Sequence, residues 1–369
     1  SWRFLQQFEG GEVKLRVFHP DTQQHGWQST HTVVEVLHRD LPFLVDSVRM
    51  ELTRQGYAIH TLQNSIMTTQ RDQQGNLQAL LETGSQSAEV RAESLMYIEV
   101  DRCTTTADLR TLQDGLKDAL SNVRVTVRDF PAMQTQVETL IGDLKKRSKQ
   151  FFSSDERAET VAFLEWLLDD HFTFLGYECF AVNEGLPKQR LGLIEGKSLG
   201  ALSMEPRDES LAGLPGEVIE YLQAPLLLSF AKASQLSRVH RPAYPDYVSL
   251  REVDAEGKVL LEHRFMGLYT SRVYSDLVDN IPHVRRKVAH VREVSGFIPR
   301  SHLAKELEQV LQVLPRDDLF QTSVEQLADT ALSIVQMQER NQIRVFLRSG
   351  NYGRFYYCLA FVPRDVYST

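Results

Sequence analysis

The residues in this chain most able to do chemistry are its eleven histidines and a few paired carboxylates. His19, His25, His31 and His38 form the densest histidine group. They fall on different strands and loops, and no Cys-x-x-Cys or His-Glu-x-x-His accompanies them. They therefore read as polar strand and turn residues, not metal ligands. Asp169-Asp170 and Asp317-Asp318 sit at helix ends or turns, where capping accounts for them. Arg238-Val239-His240-Arg241 reads as a strand whose alternation puts Arg238 and His240 on one face. There they could meet an anion, or simply line a solvated edge. No Gly-x-Ser-x-Gly elbow is present, and nothing assembles a nucleophile, a base and an oxyanion site. A dinucleotide needs a glycine-lined turn from strand to helix, so that backbone N–H groups can approach its phosphates. The sequence has neither that motif nor a phosphate-cradling Gly-Lys-Ser/Thr loop. Gly350-Asn351-Tyr352-Gly353 lies between two strands and reads as a hairpin turn. No residue of this chain is expected to be catalytic, to ligate a metal or to bind a cofactor.

The elements that must position these residues follow from periodicity. Strands are expected at Val13–Val17 and Thr32–Leu37. A helical stripe follows at Phe43, Leu44, Val45, Val48 and Leu52, closed by Gly56. Further strands are expected at Tyr57–Thr69, Leu77–Leu81 and Leu95–Val100. A helix through Leu109, Leu112, Leu116 and Leu120 comes next, then a last strand at Val123–Val127. The order βαββαβ is the ferredoxin-like arrangement, assigned to residues 1–130. Pro131 opens a helical connector over 131–170. Residues 171–275 show antiparallel strands, with a small helix near Glu217–Leu222 and a hairpin turn at Asp254–Lys258. This pattern resembles a PAS-like or GAF-like domain. A helical segment over 276–340 precedes a β-hairpin over 341–369, and the class is α+β, multi-domain.

Composition narrows the function. The 369 residues carry a net charge of −8, with 42% hydrophobic and 24% charged residues. That balance argues against a nucleic-acid binder, which would show a basic face. The clusters Lys145-Lys146-Arg147 and Arg285-Arg286-Lys287 read as solvated helix faces. Cys103, Cys179 and Cys358 lie far apart in apolar settings, which suits buried free thiols in a reducing cytoplasm. No run is long enough to span a membrane. The opening Ser1-Trp2-Arg3-Phe4 is neither a signal peptide nor a native start, so the chain is expected to be part of a longer polypeptide.

The strongest local feature is Arg39-Asp40-Leu41-Pro42-Phe43-Leu44-Val45-Asp46-Ser47-Val48, between a strand and its helix. It resembles the amino-acid-binding ACT domain, whose loop there carries an acidic residue, a variable one, Pro, Gly and then apolar residues. The resemblance implies a small amino-acid effector held at the helix N-terminus, whose free N–H groups suit a carboxylate. Asp40, Pro42, Phe43, Leu44, Val45, Asp46 and Ser47 are the candidate regulatory or interface residues. Phe43 stands where that family has Gly, and its side chain obstructs close backbone approach. An interface-forming domain is therefore expected ahead of a ligand sensor.

Longer strings run in order along the chain: HGWQSTHT at His25–Thr32, PFLVDSV at Pro42–Val48, FLGY at Phe174–Tyr177 and VHR at Val239–Arg241. FMGLYTS at Phe265–Ser271, RRKV at Arg285–Val288, PRDDLFQ at Pro315–Gln321 and VPRD at Val362–Asp365 complete them. Together they resemble the large bacterial NAD-specific glutamate dehydrogenases. The resemblance implies a longer protein that converts L-glutamate to 2-oxoglutarate and ammonia, with NAD used beyond this chain. This chain would be its non-catalytic amino-terminal regulatory and oligomerisation region, with the final hairpin opening a further ACT-like domain. Implied partners are the rest of the polypeptide and further copies in a homo-oligomer, with no nucleic acid and no membrane. The alternative is a free-standing amino-acid sensor without an enzymatic parent.

Overall fold

A computed structural model describes residues 2–9, 13–82, 90–146, 151–183, 190–204, 224–337, 342–350 and 356–362. The chain divides into two compact units, one of Ser1–Asp129 with Leu236–Ala243, the other of Phe130–Gln235 with Tyr244–Thr369.

In the first unit, β1 (Lys14–Phe18), β2 (Thr32–Arg39), β3 (Ile59–Arg71), β4 (Leu77–Leu81) and β5 (Val90–Val100) form one sheet in the order β1-β2-β5-β3-β4. Helices α1 (Trp2–Leu5) and α2 (Thr22–His25) are single turns, and α3 (Leu44–Arg54) crosses from β2 to β3. Strand β5 lies antiparallel between β2 and β3, so β2-α3-β3 is a split crossover. Strand β2 is buried from Thr32 to His38 because both sheet faces are covered. On one face Leu37 packs with Phe4, Leu5 and Phe8. The buried Arg71 ties that opening segment down. It donates to Glu93 at 2.7 Å, to the Leu5 carbonyl at 3.0 Å and to the Gly75 carbonyl at 2.9 Å.

The strand expected at the end of the first unit is a helix instead. Val123–Val127 lies inside α4 (Thr106–Lys146), a helix of 41 residues that also contains Pro131. The β-branched run suggested a strand, but the apolar spacing of Leu112, Leu116, Leu120 and Val123 continues through Met133, Val137 and Leu140, all buried. A buried stripe at helical period outweighs local propensity. The place beside β2 that a last strand would fill is taken by β1, paired antiparallel to it.

The second unit holds β6 (Phe172–Asn183), β7 (Arg190–Gly200), β8 (Leu228–Lys232), β9 (Asp246–Val253) and β10 (Val259–Tyr269), all antiparallel, in the order β7-β6-β10-β9-β8. The expected hairpin joins β9 to β10, with Gly257 at φ 88° and Asp254 accepting from the Lys258 N–H at 2.8 Å. Helices α5 (Ser154–Trp166), α6 (Ser271–Ser275), α7 (Val284–Ser295), α8 (His302–Val313), α9 (Arg316–Gln321) and α10 (Val324–Met337) belong to the same unit. Met133 and Val137 of α4, Phe163 of α5, the sheet's Phe174 and Phe265, Val288 of α7 and Ile334 of α10 share one core. The residues 131–170 and 276–340 thus bury their apolar stripes against the sheet they flank. β11 (Arg344–Ser349) and β12 (Tyr356–Phe361) form an antiparallel hairpin. Phe346 and Leu359 pack against the core, whereas Val345, Leu347 and Cys358 are exposed. Cys103 and Cys179 are buried as expected; Cys358 is not, because β12 is covered on one face only. The helix expected near Glu217–Leu222 and the turn at 351–353 lie outside the described residues.

Candidate functional site

Two loop-to-helix turns share one backbone device. In the first unit, Leu41-Pro42-Phe43-Leu44 enters α3 with Phe43 at φ 69°. In the second, Ile281-Pro282-His283-Val284 enters α7 with His283 also at φ 69°. The left-handed region is costly for any side chain with a Cβ, about 1–3 kcal/mol, and is held only where surroundings over-determine it.

At the first turn the surroundings come from Leu236–Ala243. The His240 ring lies 4.7 Å from the Phe43 ring, and the His240 N–H donates to the Ser47 hydroxyl at 3.3 Å. Arg238 reaches Glu51 at 3.4 Å. Glu51 is 2% exposed and also accepts from Arg54 at 2.6 and 2.8 Å and from Gln55 at 2.7 Å. Burial alone would raise its carboxyl pKa; the donors outweigh burial and hold it below the usual range. The strand expected over 238–241 is irregular backbone, with His240 itself at φ 73°. Its alternation was broken because each residue has a separate partner. Arg238 faces a carboxylate of its own unit instead of an open anion site. His240 is pushed toward the neutral form by burial and then by Arg241. Asp40, Pro42 and Asp46 are exposed, Val45 is half-buried, and Leu44 and Ser47 are buried. Phe43 and His240 thus close the surface over the start of α3.

The second turn is built differently. The His283 N–H donates to Glu159 of α5 at 2.7 Å, and Arg285 grips the same carboxylate at 2.7 and 2.9 Å. The His283 ring lies 5.1 Å from Phe230, and burial, then the Lys287 charge, pushes its pKa down to about 3. Lys287 is 7% exposed, so the basic cluster at 285–287 is not uniformly solvated. Its ammonium donates to the carbonyls of Leu319, Phe320 and Thr322 at 3.0, 2.9 and 2.8 Å, closing the C-terminal end of α9. Burial pulls that ammonium down to about 7. Beside the turn opens a cavity of about 570 Å³, lined by Glu156, Glu159, His283, Arg286, His290, Leu226, Leu228 and Val324. Sequence reasoning missed these residues; the repeated apolar-Pro-aromatic-apolar order at 41–44 and 281–284 was the available signal.

The histidines each have their own neighbours. His19 meets the Thr32 hydroxyl at 3.1 Å and His38 the Arg39 carbonyl at 2.8 Å. His25 stacks on Phe18 with ring centroids 4.7 Å apart. His31 pairs with Glu99 at 3.0 Å and stacks on His60 at 4.2 Å. Among the described residues no group of three or more His, Cys, Asp or Glu could hold a metal, and no helix is long and apolar enough to cross a membrane. Asp317 and Asp318 do more than cap α9. Asp317 binds Lys232 at 2.6 Å and accepts from Tyr274 at 3.0 Å, and Asp318 pairs with Arg348.

Comparison with known proteins matches three family models in sequence order. They are "Glutamate dehydrogenase, ACT1 domain" over residues 1–116, "Glutamate dehydrogenase, helical motif 1" over 281–340 and "Glutamate dehydrogenase, ACT2 domain" over 344–369. The NAD-specific glutamate dehydrogenase of Pseudomonas aeruginosa is 54% identical over 371 aligned residues, covering 100% of this chain. The chain belongs to the large NAD-specific glutamate dehydrogenase family. A Halomonas elongata relative of the same name is 44% identical over 100% of the chain. One from Mycobacterium tuberculosis is 27% identical over 88%. The chain spans 23% of the length of the Pseudomonas and Halomonas relatives and 19% of the Mycobacterium one.

Proposed function

We propose that this chain is the non-catalytic regulatory and assembly region of an NAD-dependent glutamate dehydrogenase. The whole protein would convert L-glutamate, NAD and water to 2-oxoglutarate, ammonia and NADH. The observation that carries this reading is the ordered match of ACT1, helical motif 1 and ACT2 over a chain that spans 23% of relatives bearing that name. NAD and the catalytic residues would then lie in the rest of the polypeptide. The free-standing sensor is disfavoured by that same coverage. The antiparallel sheet within 171–275 is the PAS-like or GAF-like part of the reading. The hairpin β11–β12 would open a second ACT-like domain, completed by further chain over the exposed Val345 and Leu347. Copies would assemble as a homo-oligomer in the cytoplasm, with a small amino acid as effector.

The Asp40–Ser47 turn enters this reading as a contact site, because Phe43 and His240 fill the place a ligand's carboxylate would need. The test is glutamate-dependent NADH formation and oligomeric state in the full-length protein with and without Phe43→Asp. The expected outcome is turnover in the full-length protein, none in the 369-residue chain, and an altered oligomer or effector response in the variant. Turnover by the 369-residue chain alone would sink the reading.

A further inference from the structure

We infer that the cavity beside His283 binds a small zwitterion, an α-amino acid with an apolar side chain. Its carboxylate would be held by Arg286 and its ammonium by Glu156. This deepens the regulatory reading above and rests on it only for the consequence of binding, not for the binding itself.

The volume is the first support. About 570 Å³ lies within the roughly 300–1,000 Å³ of small-molecule sites. The charges are the second. Arg286 and Glu156 line the same cavity, from α7 and from the first turn of α5, and feel each other's field. Yet among the described residues neither side chain makes an ion pair or hydrogen bond with the other, or with anything else. The neighbouring charges are already engaged. Glu159 is taken by Arg285 and the His283 N–H, and Lys287 by three carbonyls. His283 is neutral at physiological pH, because burial holds its pKa near 3. Glu325 also lines the cavity, but it is exposed, and its own backbone N–H and the Ser323 hydroxyl hold its carboxyl below the usual range. Arg286 and Glu156 are thus the lining cation and anion whose side chains make no hydrogen bond among the described residues.

That pairing selects the ligand's charge. An anion alone would be repelled by Glu156, and a cation alone by Arg286. A molecule carrying both charges satisfies both groups at once. Leu226, Leu228 and Val324 supply the apolar wall, which suits a branched aliphatic side chain.

The test is calorimetric titration of the chain with L-leucine and its two half-molecules, isocaproate without the amine and isoamylamine without the carboxylate. L-leucine should bind saturably and each half-molecule about tenfold or more weaker, as expected for the loss of one charge-assisted contact. In Arg286→Ala the preference of L-leucine over isoamylamine should vanish. In Glu156→Gln its preference over isocaproate should vanish. Arg286 is exposed and Glu156 half-buried, so both variants keep the fold. Absence of saturable L-leucine binding, or preferences unmoved in both variants, overturns the proposal. Turnover measured on the full-length protein with L-leucine separates the two readings. Binding without a rate change leaves the site standing and removes the regulation. A rate change that survives in both variants places the effector's site elsewhere and removes the regulatory role from this one.

Discussion

The turns at Leu41–Leu44 and Ile281–Val284 begin alike and end in different chemistry. Both place an aromatic residue at φ 69° behind a proline, and both direct an arginine onto a glutamate, Arg54 and Arg238 onto Glu51 in one, Arg285 onto Glu159 in the other. At the first, a returning segment lays His240 over Phe43 and the surface closes. At the second, the ring turns onto Phe230 and a cavity stays open beside Arg286. The lesson is that a strained backbone device does not define a site; what packs on it does. Strain at both positions is maintained by neighbours, and only one set of neighbours leaves charge unpaired.

Three measurements would break or sharpen this comparison. The largest effect is expected from Lys287→Met, which strands the carbonyls of Leu319, Phe320 and Thr322. Unpaired buried acceptors cost about 1–3 kcal/mol each before relaxation, so urea unfolding should show a loss of about 3 kcal/mol or more. Ser47→Ala at the first turn removes one acceptor and should cost about 1 kcal/mol. Equal losses in the two variants would erase the distinction between the turns.

The second measurement is stability against pH. His283 has its folded pKa pushed down to about 3, from 6.5 when unfolded, by burial and then by Lys287. Between those values the unfolded chain binds a proton that the folded chain refuses. Stability therefore falls as pH drops through that window and is fully present above it. His283→Asn, whose side chain tolerates positive φ, should flatten this part of the profile. An unchanged slope would mean that the ring is not buried as described.

The smallest effect is expected from Phe43→Gly. Releasing the left-handed strain gains about 1 kcal/mol, and losing the ring contact with His240 costs about the same. Thermal unfolding should move little in either direction. A large loss would show that Phe43 anchors the Leu236–Ala243 segment more strongly than its contacts imply.

Much of the fold was legible because its periods are clean. Thr32–Arg39 is a short β-branched and apolar run, Leu44–Arg54 keeps a helical stripe, and Asp254–Lys258 carries the glycine its turn requires. The misreadings have a common cause. Local β-branching points Val123–Val127 toward a strand, and local alternation does the same for Arg238–Arg241, whereas partners distant in sequence decide both. Lys287 shows the same thing for chemistry, since a basic triplet looks solvated until three carbonyls from another helix close around one member.

What the sequence determined by itself was the family, the α+β class and the absence of a glycine-lined phosphate turn, because these depend on residue types at short spacing. Which glutamate meets which arginine, which aromatic closes its loop and which cation is left facing a cavity were decided by tertiary structure alone. Each depends on burial and on contacts between residues far apart in the chain, such as Glu159 with Arg285 or Ser47 with His240. No local pattern encodes such pairings, because the energy that sets them is the cost of leaving a buried polar group alone.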